Sequence, residues 1–319
     1  MIREGMETGF YVKCVCPVSA AAPWNRFFGL TIDATDSDWS GIRISLMALR
    51  LLILVAHPDD AEVRAGGLAT IYSDLGHTVR IVAVTNGDAG HHTMEREELA
   101  ARRKREAEAS CAVIGAECAV WDNRDGELQP TLEFRAQVIR EIRRFRPDLV
   151  LTHRPEDYHP DHRALGEAVR DASYMVTVPH VCPDTPHLRK DPVVAYVWDE
   201  FTRPTALRGD VLIDIGEKVD VIARMLACHE SQLFEWLPYN WRIEDPVPEG
   251  HEERIAWARK LYELRNANNT ERYREALKRT YGDTRGAAIQ FAEILEISEY
   301  ASPLTEGERE RLFPFVPRP

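Results

Sequence analysis

A chain of 319 residues, 44% hydrophobic and 29% charged, has the balance of one large folded domain or two modest ones, not of a disordered or collagen-like protein. The 40 Lys and Arg against 52 Asp and Glu leave a net charge of -12, a field that repels polyanions, so nucleic acid is not expected as a partner. The longest clean apolar run, Leu51–Ala56, has the length of a strand and falls far short of the roughly eighteen residues a membrane span needs, so no membrane association is expected.

In chain order, residues 1–46 hold Pro17 and Pro23 and sustain no helical period. Glu4, Glu7 and Lys13 spoil them as a signal peptide, and the expectation is a poorly ordered extension with Met47 as the true start. From Arg50 onward strands and helices alternate. Strands are expected at 51–56, 79–84, 118–121 and 149–152. Between them run helices at 61–75, closed by Gly76, and 94–114, closed by Gly115. A helix capped by Thr131 runs to Phe145, where Pro147 stops it, and another covers 162–175. Strands at 193–197 and 211–215 extend the sheet, and past Gly216 helices are expected at 217–230, 249–268, 270–281 and 285–297, with a surface loop over 237–250. Strands apolar throughout and separated by helices specify a Rossmann-like three-layer α/β/α fold with a mostly parallel sheet. The expected domains are the extension 1–46, a core over 47–235, and a helical C-terminal part, 236–319, packed on that core. Six scattered cysteines without a CxxC pair read as reduced thiols in a cytoplasmic protein. The basic cluster Arg102–Arg105 alternates with glutamates and reads mostly as a solvated helix face.

With strand order 3-2-1-4-5, the loops after the first and fourth strands face each other across the crevice where such folds bind ligands. Those loops concentrate the polar residues: His57-Pro58-Asp59-Asp60-Ala61-Glu62 and His153-Arg154-Pro155-Glu156-Asp157-Tyr158-His159-Pro160-Asp161-His162. No G-x-G-x-x-G turn is present, and two adjacent carboxylates repel a pyrophosphate, which argues against dinucleotide cofactors and ATP. Gly66-Gly67 read as close-packing residues. A lone His-Asp pair at a strand end is commonly a turn with a satisfied histidine. Two such clusters at neighbouring strand ends point instead to a divalent cation, with histidine favouring zinc, or iron or another first-row ion, over magnesium.

His57-Pro58-Asp59-Asp60 paired with His159-Pro160-Asp161-His162 resembles the motifs of the PIG-L/LmbE-type zinc N-deacetylases, which remove acetyl from N-acetylglucosaminyl groups. The resemblance runs over about 48 to 235 and takes in Thr85–Gly90 and Cys228–Gln232; residues 1–46 have no counterpart in it. It implies Zn2+ held by His57, Asp60 and His162, with water completing an open site. It further implies Asp59 as general base, a cationic His159 that stabilises the oxyanion or protonates the leaving amine, and Asp161 orienting His159. The substrate would be a small N-acetylated molecule; homo-oligomers are common in the family, and the sequence fixes no number.

Other residues carry two readings each. Arg103, in an R-x-x-E pattern with Glu106, faces substrate or forms a surface ion pair. Asp125 accepts from sugar hydroxyls or shapes a turn. Tyr158 gates the site or packs, and His229 is a site residue or a helix histidine with a local partner. Arg64 stands where family members often carry a small residue; facing the pocket it favours an anionic substrate, facing solvent it does nothing. Loops 122–130, 178–192 and 234–250 are the expected specificity elements. The rival functions are a metal-dependent amidase acting on a non-sugar amide and a non-enzymatic metal or sugar-binding module.

Overall fold

The computed structural model describes residues 48–318; the expected extension 1–46 and the start at Met47 lie outside the described residues. Leu51 to Val55 are all but completely buried because β1 (Arg50–Val55) is the central strand, with β2 (Thr78–Thr85) on one side and β4 (Leu149–Thr152) on the other, both parallel to it. Alternation sends Leu51, Ile53 and Val55 into one hydrophobic core and Leu52 and Leu54 into the other, so the strand reads as a continuous apolar run. On the first face lie α1 (Asp60–Asp74), α2 (Arg96–Val113) and α5 (Val219–Ala227); on the second lie α3 (Leu132–Phe145) and α4 (Pro160–Ala172). With β3 (Glu117–Asn123), β5 (Val193–Val197), β6 (Val211–Asp214) and β7 (Ala292–Ile297), the sheet has seven strands in the order β3-β2-β1-β4-β5-β7-β6. The expected order of the first five is observed. Thr131 Oγ1 accepts from the Phe134 amide as the expected cap of α3, and Gly76 and Gly115 close α1 and α2 with positive φ.

The C-terminal third departs from its expected pattern. A π-helical turn, Ser231–Trp236, runs into α6 (Leu237–Trp241), so the expected loop over 237–250 begins as helix. After α7 (His251–Arg272) and α8 (Arg274–Tyr281), the expected helix over 285–297 is corrected to a short α9 (Asp283–Ala288) followed by β7. β7 inserts between β5 and β6, antiparallel to both, and α10 (Glu306–Leu312) follows it. Tertiary pairing outweighs local pattern here: Leu295 and Ile294 fill cores on opposite faces of the sheet, and Glu293 reaches α1, where its two carboxylate oxygens accept from the Gly67 and Leu68 amides at 2.6 and 2.8 Å. The chain from Ala48 onward forms one compact unit in which residues of the expected core and of the expected C-terminal part share this sheet.

Gly66 and Gly67 do serve close packing. A Cβ on Gly67 would sit 2.8 Å from Ile215 Cβ and 2.9 Å from Glu293 Oε1; one on Gly66 would meet Ile222 Cγ1 at 3.2 Å.

Candidate metal centre and active site

The carboxyl ends of β1 and β4 are hydrogen-bonded neighbours, so the loops that follow them converge. The Ala56 amide donates to His153 Nε2 at 3.1 Å and ties one loop to the other. Proline at the first position of α4 and His159 as its N-cap set the start of that helix, placing His162 one turn in, with its side chain buried.

Three lone-pair atoms then meet. His57 Nδ1 lies 3.2 Å from Asp60 Oδ2, Asp60 Oδ2 lies 3.2 Å from His162 Nε2, and His162 Nε2 lies 3.2 Å from His57 Nδ1. The tautomers follow from the outer partners. His57 Nε2 faces two carboxylates, Asp125 Oδ1 at 3.1 Å and Asp161 Oδ2 at 3.2 Å, and so carries the proton. His162 Nδ1 faces Asp157 Oδ1 at 3.0 Å and is protonated on that side. The inward atoms of all three residues therefore present lone pairs to one another, which is repulsive unless a cation stands between them. A tetrahedral ion with bonds of about 2.0–2.1 Å needs donors roughly 3.3 Å apart, and the triangle fits. His159 with His57 and His162, and His153 with Asp60 and His162, form overlapping groups that can also contribute a donor.

Asp59 caps α1 at φ 114°, a left-handed conformation rare outside glycine. Arg103, reaching across from α2, holds it there: Nη2 donates to Asp59 Oδ2 at 3.1 Å and to the Pro58 carbonyl, and Nη1 donates to the Gly87 carbonyl at 3.3 Å. Arg103 is buried, so the surface-pair reading fails. Burial lifts the Asp59 carboxyl to about 6, opposed chiefly by the Arg103 charge. Asp60 behaves in the opposite way: burial would raise it, but the neighbouring His162 and His153 hold it well below the usual carboxylate range.

Two expectations need correction. The Asp161 carboxylate does not bond the His159 ring; it sits on His57 Nε2 and accepts from the Gly126 and Leu128 amides at 2.7 and 3.1 Å, linking the β3 loop to the site. It is the Asp161 backbone amide that donates to His159 Nδ1, at 3.2 Å. A nitrogen that accepts an N–H is unprotonated, so His159 is neutral with its proton on Nε2, not the expected cation. Burial, the largest cause, holds its pKa below the ordinary value. Asp125 stands against His57 and 3.8 Å from Arg103 Nη1, and Tyr158 is exposed at the rim with its ring edge-on to His159.

Sequence reasoning left His153 and Asp157 without roles and His229 with two open readings. His153 stacks on His162 at 3.8 Å between ring centroids, and Asp157 fixes the His162 tautomer. His229 is wholly buried, its Nε2 3.1 Å from Glu62 Oε1, which also accepts from Ser110 Oγ. The resemblance took in Cys228–Gln232, but spacing could not reveal the neighbour of His229, Glu62, which lies far back in the chain. Gln232 Nε2 donates to the Gly90 carbonyl at 2.9 Å, so the segments 85–90 and 228–232 close together over the cleft. The resulting cavity of about 420 Å³ is lined by His57, Asp59, Arg103, His159, Arg64 and Trp236, among others. Arg64 is thus a cavity residue and not a solvent-facing one.

The PIG-L family model, described as GlcNAc-PI de-N-acetylase, matches residues 52–173, from β1 through α4. The diacetylchitobiose deacetylase of Thermococcus kodakarensis is 30% identical over 202 residues, covering 60% of this chain and 74% of the relative. A 4-oxalmesaconate hydratase of Pseudomonas putida is 24% identical over 198 residues, 59% of this chain and 76% of the relative. Among solved structures, the N,N'-diacetylchitobiose deacetylase of Pyrococcus horikoshii shares the fold, with a TM-score of 0.62 and 20% identity over 80% of this chain and 85% of that one.

Proposed function

Because the chain belongs to the PIG-L family, we propose that it is a zinc-dependent N-deacetylase that removes the acetyl group from an N-acetylglucosaminyl-type amino sugar or its conjugate. The triangle of lone pairs from His57 Nδ1, Asp60 Oδ2 and His162 Nε2 carries this reading. In it these three residues hold the ion, for which histidine plus carboxylate suits zinc and also iron or another first-row metal. When bound, such an ion supplies Lewis acidity, polarising the amide carbonyl and acidifying water.

The chain's own residues do the rest. Asp59, next in sequence to a metal donor but turned away to Arg103, takes the proton from the attacking water on its carboxylate. His159 presents Nε2–H to the oxygen that gains charge as the amide carbon becomes tetrahedral. The proton held on Asp59 goes to the departing nitrogen, without which an amide does not expel its amine. Asp125, Asp161 and Asp157 keep the rings of His57 and His162 in the tautomers that face the ion. Arg103 and Tyr158 border the space left for substrate. Among the described residues no helix is long and apolar enough to cross a membrane.

The test is release of free amine from N-acetylglucosaminides and from non-sugar amides by zinc-loaded protein, beside Asp59→Ala. Turnover of the sugars is expected, abolished by chelation and restored by zinc. Asp59→Ala is expected to lose about 10²–10⁴-fold in kcat while binding one equivalent of metal. Turnover of non-sugar amides alone would transfer the reading to an amidase.

A further inference from the structure

The metal cleft does not end at the reacting centre. A second cavity of about 730 Å³ adjoins it, and Arg64, Tyr158, Trp236, Leu237, Asn240 and Arg265 line both. Its outer wall carries Phe201 and Trp241, so it offers an aromatic-lined chamber of the size that holds a small organic group.

Two guanidiniums enter this shared wall from elements far apart in sequence, Arg64 from α1 and Arg265 from α7. Arg64 is only 3% exposed, stacks its guanidinium on Trp198 at 4.7 Å from the ring centroid, and donates Nη1 to the Trp198 carbonyl at 2.6 Å. Among the described residues it has no carboxylate partner, and its other donors have no hydrogen bond. Arg265 is half-buried and has neither an ion pair nor a hydrogen bond among the described residues. Burial lowers its pKa, and the nearby Arg64 charge lowers it further, while Glu200, Tyr158 and Asp60 act in the opposite sense from beyond ion-pair distance. Two other buried arginines are held by acceptors on several sides: Arg154 is clamped by both oxygens of Asp199, and Arg143 donates to six backbone carbonyls. Glu200 also lines the outer chamber but stands beyond ion-pair distance of both guanidiniums, so the two like charges face each other with no anion in contact, a cost that a bound anion offsets.

We propose that Arg64 and Arg265 form an anion subsite in the outer chamber, and that the substrate carries a carboxylate or phosphate on the part extending away from its N-acetyl group. This rests on the deacetylase reading, with the acetamide at the metal centre and the remainder of the molecule passing Tyr158 and Trp236. The aromatic wall then covers the link between sugar and anion, and Arg64, fixed on Trp198, presents its remaining donors without further ordering.

Full-length zinc-loaded protein would be assayed on three matched N-acetyl-β-glucosaminides: methyl, carboxymethyl and 2-phosphoethyl. The expected result is a KM for one of the charged compounds about tenfold or more below that for the methyl glycoside, shrinking as salt is added. The charged compound with the lower KM identifies the anion. Arg265→Met should bring the charged-to-neutral ratio to within about twofold, and Arg265→Lys should restore part of it. Calorimetric titration of the corresponding free-amine glycosides gives the same ratio without turnover. Equal KM values for all three compounds, or a ratio unmoved by Arg265→Met in a protein of unchanged circular dichroism, overturns the subsite and leaves the deacetylase reading standing. No amine release from any compound, with Arg265-dependent tighter binding of the charged ones, overturns the deacetylase reading and upholds the subsite.

Discussion

At Asp59 a non-glycine residue holds a left-handed backbone, a conformation that costs on the order of 1–3 kcal/mol and persists only where its surroundings enforce it. Arg103 is that enforcement, since one guanidinium bonds the Asp59 carboxylate and the carbonyl of the residue before it. Lysine keeps the charge but not the fork, and so releases one of these anchors. Arg103→Lys is therefore expected to lower kcat/KM by about 10–100-fold with metal stoichiometry unchanged, as steady-state kinetics beside metal analysis would show. Wild-type kcat/KM in that variant would mean Asp59 needs no tether. At this scale the two motif loops were legible because their histidines and carboxylates cluster at neighbouring strand ends. His229 with Glu62, and Arg265 beside Arg64, were not: each pairing joins residues more than 160 positions apart, and a single buried polar residue has no period that a pattern can detect.

Among the elements, α1 shows how packing, not propensity, decides a sequence. Two glycines inside a helix cost stability in isolation, yet they let α1 approach β7 and the segment around Ile215. Gly67→Ala would drive its Cβ against Ile215 and Glu293, and a loss of about 1–3 kcal/mol is expected in urea denaturation. Gly66→Ala meets only the end of Ile222 and should stay within about 1 kcal/mol of wild type; equal losses at the two positions would remove the packing argument. The strands β1 to β6 could be read from sequence because each is an apolar run bounded by turns. β7 could not, because Ile289, Ala292, Leu295 and the residues between them continue a helical spacing out of α9. What makes it a strand is the open edges of β5 and β6, supplied by chain 78 to 102 residues earlier.

For the molecule as a whole, Glu293 couples folding to pH. Burial lifts its carboxyl from an ordinary 4.5 to about 7, against the pull of the Gly67 and Leu68 amides. Between those values the folded chain holds a proton that the unfolded chain has released. The contribution is thus fully present below about pH 4.5 and lost as pH rises to 7, on the order of 3 kcal/mol. Glu293→Gln cannot titrate, so the difference between wild-type and variant stability should slope across that window in urea titrations from pH 4 to 8. A flat difference would show that Glu293 ionises as freely folded as unfolded.

The place of β7 also orders events during synthesis. His57, Asp60 and His162 leave the ribosome long before Ala292, so the three proposed metal donors are made while β5 still presents a bare edge and α1 has no carboxylate beneath it. Domains commonly consolidate from the N-terminus as they emerge. This sheet cannot, because its second-to-last position is filled by its last-made strand. Until β7 is made the β5 edge has no partner, and an unpaired strand edge is a template for mispairing.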